Sequence, residues 1–480
     1  MFQKEAGCTN RHNVLKKLEK IEKITVYPEV KRGYFDVFKA EDIEKIRSYR
    51  LDVILRHGFN IIKGEILHAA RYGIWSYHHA DNSVNRGQPP AFWEILDHQP
   101  YVGVTLQRLT EQLDGGFVIE KGYFNPHWSV VKTQNRIKEG GIILLLKSLD
   151  TLARGYDFHM RPSGVYYNPL YKTPGLIDEL RYVRRFYGEA LSRVWRGLNA
   201  GIFKARYNKW TLFIGRGSFL NATLYRLKPV KVPDDQFWAD PFIFEYKGNR
   251  CVFFELFDYK KKRGRIACGR IHKNTLIDIT EVLEKPYHLS YPYIFEEDGE
   301  IYLMPETHES KRLELYQCIE FPSKWRLVAT AFEGEETADP FFFTDQEGTR
   351  WLFINKKSSP GATLDTELYI YQVPDLSLKN LVAHEKNPVI VDARRARNAG
   401  AIFLHNGRFY RPSQANVYGA YGKALNINEI KRLTLEEYEE ETLVTVWPNF
   451  RRGLSGIHHL HQTDGWFVFD AAYKRIGGLG

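Results

Sequence analysis

The apolar and polar positions follow two different patterns along the chain. In the first 125 residues, short apolar runs alternate with stretches of helical spacing. Val14 to Ile21 sets Leu against Lys and Glu at helical spacing, and Ile24–Tyr27 reads as a short strand. Residues 40–47 start acidic and end basic, as a helix prefers. Strands are predicted over 51–55, 73–77, 102–108 and 118–120, helices over 64–71 and 91–96, and a tight turn at Leu113-Asp114-Gly115-Gly116. This alternation predicts an α/β domain over 1–125 with a mostly parallel sheet. Residues 126–225 read as a connector, with a Pro/Gly loop at 168–175, one helix over 176–198 that is Arg-rich on its outer face, and a strand over 209–215.

From about residue 226 the pattern becomes a repeat. Trp238-Ala239-Asp240-Pro241-Phe242, Tyr291-Pro292-Tyr293, Ala338-Asp339-Pro340-Phe341, Ala399-Gly400-Ala401 and Gly456-Ile457-His458 each open an apolar strand. Each strand leads to a hairpin signal (Gly248-Asn249, Asp298-Gly299, Glu347-Gly348, Asn406-Gly407, Asp464-Gly465) and a second strand. Five such units, about fifty residues apart, predict an all-β five-bladed propeller over 226–480.

Composition narrows the picture. A chain of 480 residues exceeds one ordinary core. With 43% hydrophobic and 26% charged residues it is globular, and the 14% aromatic content, concentrated in the second half, suits a β module with a sugar-binding face. The net charge of +10 is scattered, and the short clusters at 259–263 and 394–397 read as solvated loops, so nucleic acid is not an expected partner. Cys8, Cys251, Cys268 and Cys318 lack the spacing of a zinc site or disulfide framework, and no metal is expected. With neither an apolar signal core nor a run long enough to span a bilayer, the chain reads as soluble and cytoplasmic, its charge compatible with peripheral contact with an anionic membrane.

The densest chemistry follows the strand at 73–77, where Ser76, His78, His79, Asp81 and Arg86 lie close in sequence. Polar groups just beyond a buried strand are where α/β proteins keep their sites. The run Gly-Phe-Asn-Ile-Ile at 58–62, Ser-x-His at 76–78, Arg86-Gly87 and Gly103-Val104-Thr105…Leu113-Asp114-Gly115-Gly116 resembles the catalytic half of the formyltransferase fold. That fold is shared by methionyl-tRNA, glycinamide-ribonucleotide and sugar N-formyltransferases. The resemblance covers roughly 50–125 and implies a partial Rossmann domain, a catalytic set of His78, Asp114 and Ser76, and 10-formyltetrahydrofolate as cofactor. The family's asparagine falls on Ser76, and its folate-shaping segment is replaced by His79-Ala80-Asp81-Asn82-Ser83. Arg86 and Asp81 are expected to bind substrate.

The repeat resembles the five-bladed glycoside hydrolases of the arabinanase and xylosidase kind. On His288-Leu289-Ser290-Tyr291-Pro292, Met304-Pro305-Glu306-Thr307, Asn387-Pro388 and Tyr410-Arg411-Pro412-Ser413-Gln414 it resembles the propeller of plant glucosamine inositolphosphorylceramide transferases. Asp240, Glu306 and Asp339 are expected to converge in the central channel, with Arg411 and Gln414 binding sugar oxygens or phosphate. One of His458, His459 and His461 could face the channel as a metal or water ligand, as in those hydrolases, but a channel histidine is more often simply hydrogen-bonded and no metal is expected. The resulting reading is a transferase that modifies an amino sugar or nucleotide-linked sugar, with N-formyl transfer as the reaction and a sugar, nucleotide-sugar or glycolipid as substrate. Two alternatives stand beside it: a propeller-based glycoside hydrolase or glycosyl-transfer enzyme with a degenerate first domain, and a non-catalytic glycan-binding protein.

Overall fold

A computed structural model describes residues 21–112, 115–156, 160–202, 206–359, 361–463 and 465–476. The helix expected over 14–21, but for Ile21, and the expected catalytic Asp114 lie outside them. The chain divides into two compact units, residues 1–186 and 187–480.

In the first unit, β1 (Glu29–Lys31), β2 (Phe35–Val37) and β4 (Ile61–Lys63) form a small sheet, β2 and β4 running parallel. The early strand thus starts at Glu29 rather than within Ile24–Tyr27. Helix α1 (Ala40–Ser48) carries Glu41 and Asp42 in its first turn and Lys45 and Arg47 in its last, and it buries Ile43 against Ile62, Ile66 and Ile74. The helix expected over 64–71 shrinks to one tight turn at Glu65–His68.

A second sheet has the order β3 (Ile54–Leu55), β5 (Ile74–His78), β6 (Val102–Arg108), β7 (Phe117–Phe124), β8 (Arg161–Pro162). Here the expectation of a mostly parallel sheet is corrected. Only β3 and β5 are parallel, while β5–β6, β6–β7 and β7–β8 are antiparallel. The connection from β6 to β7 is too short for a crossover, and a parallel return needs a dozen residues or more. Between β5 and β6 lies only the short helix α2 (Phe92–Leu96).

The connector contains a second long helix that periodicity did not reveal. Helix α3 (Val130–Ala153), N-capped by Ser129, buries Thr133, Ile137, Gly140, Gly141, Leu144 and Ser148. Gly140-Gly141 weakens the helical signal in the sequence, yet packing requires it. A Cβ on Gly140 would lie 2.0 Å from the Phe124 ring of β7. Helix α4 (Leu176–Ile202) lies where the helix over 176–198 was expected.

Among the described residues the second unit contains five successive antiparallel sheets. Strand Arg206–Arg216, assigned to the connector from sequence, pairs along its length with Trp466–Ile476 and completes the last sheet, so the propeller begins at 206 rather than 226. Asp298-Gly299 and Asn406-Gly407 form the hairpins expected of them, with positive φ at both positions as the twist of paired strands demands, while the first hairpin turns at Lys247-Gly248, one residue before the expected Gly248-Asn249. Sheets are joined by a buried aromatic core that includes Phe242, Phe253, Tyr291, Phe341 and Phe353.

The opening strands share a bulge. Register shifts fall between Ala239 and Phe242, Ser290 and Tyr293, Ala338 and Phe341, and Ile457 and Leu460. At the first three, the residue before the proline is left-handed, with φ of 50° at Asp240, 46° at Tyr291 and 47° at Asp339. A non-glycine residue before proline ordinarily avoids that region. In the fourth unit Gly400 takes the place, with φ of 121°, and a Cβ there would meet the Leu460 carbonyl.

Among the described residues no helix is long and apolar enough to cross a membrane, and Cys251, Cys268 and Cys318 are free thiols.

Candidate functional site

In the first unit, β5 and β6 align Ser76 with Gln107 and His78 with Thr105. A cleft of about 290 Å³ opens beside them, lined by Arg56, Ser76, His78, His79, Gln107 and Thr110 among others. Its size is at the lower edge of small-molecule sites. The Arg56 guanidinium donates to Ser76 Oγ at 3.1 Å and to the Asn60 carbonyl at 2.9 Å, which brings a fixed positive charge to the cleft. His78 Nε2 lies 2.6 Å from the Asn85 carbonyl. A carbonyl only accepts, so Nε2 carries the proton and a neutral ring has Nδ1 as its basic nitrogen. Asn85 is itself anchored, its amide donating to the buried Glu94 at 3.0 Å. Burial pushes the Glu94 carboxyl up. Burial, with His78, Lys138 and His57 nearby, lowers His79 to about 4, so it is neutral at physiological pH. On the cleft wall, Gln107 Oε1 and Thr110 Oγ1 are buried acceptors with no hydrogen-bond partner among the described residues.

Two residues expected to bind substrate are engaged elsewhere. The Asp81 carboxylate is buried and accepts from Lys121 at 2.6 Å, from Ser83 N–H and Oγ at 3.0 and 2.6 Å, and from Tyr123 at 3.2 Å. Burial opposes its charge, but Lys121 and Ser83 outweigh burial and hold it below the usual carboxylate range. Arg86 donates to the Asn82 carbonyl at 2.8 Å and lies over the Tyr166 ring, 4.7 Å from its centroid, so it ties two loops together. Both corrections have one cause: groups of the same unit, near and far in sequence, engage these charges before any ligand does.

In the second unit, Asp240, Glu306 and Asp339 are brought into one buried cluster. The bulges turn their chain inward, and carboxylates capture the N–H groups of the strained residues. Asp470 accepts from Asp240 N–H at 2.9 Å, Asp240 from Tyr291 N–H at 3.3 Å, and Glu306 from Asp339 N–H at 3.3 Å. Such strain persists only where the surroundings over-determine it.

The residue at the cluster's centre is Arg397, which sequence reading placed in a solvated basic loop. It is buried, donates to Asp339 at 2.5 Å and to Glu306 at 2.9 Å, and lies 5.4 Å from the Tyr421 ring centroid. Burial works against the Glu306 charge, but Arg397 and His308, 2.9 Å away, hold its carboxyl low. Burial and the Glu306 charge push Asp339 up despite Arg397. Two further carboxyls went unnoticed in the sequence. Glu255 is buried beside His288 (3.3 Å), and burial with the Asp240, Glu306 and Asp470 charges pushes it well up. Asp470 accepts from His458 Nδ1 at 2.7 Å. The position of Glu255 at the end of an apolar run, Val252-Phe253-Phe254-Glu255, was a usable signal; nothing in the sequence ties Arg397 to residues 58 and 91 positions away.

The expected sugar ligands divide. Arg411 is fully buried and donates to both Glu440 oxygens at 2.7 Å, to Asn398 at 3.0 Å and to the Arg395 carbonyl at 2.7 Å, so it is a strut within its sheet rather than a ligand. Gln414 lies in the cluster, donating to Tyr421 at 3.1 Å. Of the histidines, His458 stacks on Trp210 with centroids 3.9 Å apart. Burial alone would lower it, but Asp470 and Asp240 outweigh burial and raise it. His461 accepts the Ile243 N–H and is lowered by burial to about 3. Asp240, His458 and Asp470 offer ligand atoms within 4.8 Å of one another; here they form an ion-paired triad.

Residues 226–457 match the family described as glucosamine inositolphosphorylceramide transferase 1, N-terminal. The glucosamine inositolphosphorylceramide transferase 1 of Oryza sativa subsp. japonica is 31% identical over 208 residues, 42% of this chain and 27% of that protein. A methionyl-tRNA formyltransferase of Lachnospira eligens is 28% identical over 163 residues, 33% of this chain and 50% of that protein. The chain therefore spans about a quarter of the plant relative and half of the bacterial one. A thermostable family-43 glycoside hydrolase aligns with half of this chain and 90% of its own, at 13% identity and a TM-score of 0.38. The chain thus joins a formyltransferase-like part to a propeller part similar to the N-terminal region of plant glucosamine inositolphosphorylceramide transferases.

Proposed function

We propose that this chain is a transferase that formylates the amino group of an amino sugar or nucleotide-linked sugar, with the cleft beside His78 as the reaction site. The observation that carries the reading is that cleft: a histidine with its tautomer set by Asn85, a fixed arginine charge, and unsatisfied acceptors on the wall. Gln107 Oε1 and Thr110 Oγ1 fit the N–H donors of a pterin, so the residues present fit 10-formyltetrahydrofolate. When bound, that cofactor supplies the formyl group. His78 takes the proton released by the attacking amine and returns it to the departing nitrogen as the old formyl–nitrogen bond breaks, and Arg56 balances negative charge developing in the cleft. Asp114, carried over by resemblance, is the proposed partner of His78. The five sheets of the second unit are the blades of one five-bladed propeller that holds the carbohydrate, with Tyr421, Gln414 and His308 toward the ligand. The names of the relatives, a transferase acting on a glucosamine-linked glycolipid and a formyltransferase, support transfer chemistry.

The test is product formation from 10-formyltetrahydrofolate and a panel of amino sugars and nucleotide-linked amino sugars, read by mass. His78→Ala lowers the rate by about 10²-fold or more. Absence of product with every acceptor, or full activity in the variant, sinks the reading.

A second reading has one specific observation behind it. Burial opposes the Asp240 charge, but His458 and His459 outweigh burial and lower its carboxyl, while burial and the neighbouring carboxylates push Glu255 well up. Carboxyls driven apart in this way suit an acid and a base of glycosyl chemistry. Under that reading Glu255→Gln abolishes turnover of an aryl glycoside and His78→Ala leaves it intact.

A further inference from the structure

The end of strand Arg408–Ala415 and the loop after it carry polar atoms that the fold leaves unused. Gln414 is buried, and its amide donates to the Asn398 carbonyl at 3.3 Å and to the Tyr421 hydroxyl at 3.1 Å. Its Oε1 has no hydrogen-bond partner among the described residues. Asn416 is fully buried and its Oδ1 accepts from Gly422 N–H at 2.7 Å, while its Nδ2 has no partner among them. Buried amide atoms left unpaired are costly, and native folds keep few of them. Both side chains are held by one loop. It leaves the buried Val417 and passes through Tyr418, Gly419 and Gly422 at φ of 57°, 69° and 58°. Gly422 pins its far end, where a Cβ would lie 2.8 Å from His458 Cβ. Between these anchors Tyr421 is 50% exposed, with the Arg397 guanidinium over its ring and its hydroxyl on Gln414.

We propose that residues 417–422 are a flap over a subsite that reads the uncharged hydroxyls of a saccharide. The charges beside the loop are already engaged: Arg397 by Asp339 and Glu306, and His458 by Asp470 at 2.7 Å with Asp240 at 3.6 Å. A phosphate or an ammonium group entering here would have to break one of these buried pairs to find its counter-charge. The atoms left over are one neutral acceptor, Gln414 Oε1, and one neutral donor, Asn416 Nδ2. A hydroxyl both donates and accepts, so neighbouring hydroxyls of one sugar ring satisfy the two together. Both atoms are buried with the flap down, so the sugar enters as Tyr421 swings away, and the ring then closes on the sugar's apolar face. The inference rests on the propeller holding the carbohydrate and names the part of it that is read; it is independent of formyl transfer at the cleft.

The test is calorimetric titration of the full chain, at low and high salt, with methyl glycosides of glucose, galactose, mannose, xylose and N-acetylglucosamine, set against glucosamine and glucose 1-phosphate. The expected result is binding of a neutral glycoside that salt leaves unchanged, with slower hydrogen exchange over 417–422 in its presence. Gln414→Leu weakens that binding about tenfold, and Tyr421→Ala by about tenfold or more. Circular dichroism and thermal unfolding report whether the variants fold, and the half-exposed Tyr421 keeps the test decisive if Gln414→Leu does not. Binding of glucosamine or glucose 1-phosphate alone, or binding that salt weakens, overturns the hydroxyl subsite and leaves the propeller as the carbohydrate module. Unchanged binding in folded Tyr421→Ala, or unchanged exchange over 417–422, overturns the flap. No binding of any of these sugars overturns both the subsite and the carbohydrate-holding role.

Discussion

Replacing Arg411 by alanine separates a ligand from a strut. The guanidinium makes a two-pronged contact with Glu440 and further bonds to Asn398 and the Arg395 carbonyl, all inside the fourth sheet. Arg411 lies among the sequence motifs that resemble sugar-binding propellers, so a binding role predicts a stable variant with lost affinity. The geometry predicts the reverse. Removing one partner leaves the buried Glu440 carboxylate with only the Tyr438 hydroxyl, at 2.6 Å, as a side-chain donor among the described contacts apart from Arg395 at 4.0 Å. Breaking a buried ion pair costs about 3–5 kcal/mol. In a unit of this size that lowers Tm by roughly 10 °C. The assay is thermal and urea unfolding of the full chain, followed by tryptophan fluorescence. Substituting both partners, Arg411→Met with Glu440→Leu, recovers a large part of the loss, because no charge is then left buried. A variant Arg411→Ala that unfolds within about 1 kcal/mol of the parent but no longer binds carbohydrate would refute the strut.

The other expectations concern packing and pH. Gly140→Ala places a methyl group on the Phe124 ring and costs about 1–3 kcal/mol in urea unfolding; a neutral result would mean that α3 does not seat on β7 as described. His79 and His461 are held below the usual histidine value, at about 4 and about 3. The unfolded chain therefore takes up protons that the folded chain refuses. Their stability is present above pH ~6.5 and is lost as pH falls toward ~4 and ~3, by up to about 3 and about 5 kcal/mol respectively. Denaturation midpoints across this window should fall with pH, and His79→Gln should flatten its share of the slope.

Local patterns carried well where the cause was local. Asx-Gly pairs formed their hairpins because only particular residues accept positive φ, and β6 has the limits expected from its apolar alternation. Reading failed where one segment's state depended on another. Gly140-Gly141 speaks against a helix until Phe124 is placed beside it. Arg206–Arg216 looks like a connector strand until Trp466–Ile476 arrives from the far end of the chain. The site divides in the same way. His78 and the carboxylates Asp240, Glu306 and Asp339 were visible as chemistry-bearing types at strand ends, while Arg397 was hidden in a basic run and Glu255 in an apolar one.

By itself the sequence determined the two kinds of architecture, the hairpins, and a short list of groups able to do chemistry. These follow from periodicity and from backbone preferences that each residue carries wherever it lies. Tertiary structure decided which of those groups are spent. Asp81, Arg86 and Arg411 are consumed by partners from 2 to 80 positions away, whereas His78 and Gln107 face a cleft. The physical reason is desolvation: a buried charge must find its counter-charge within the fold, and which charge is buried is settled only when distant segments pack.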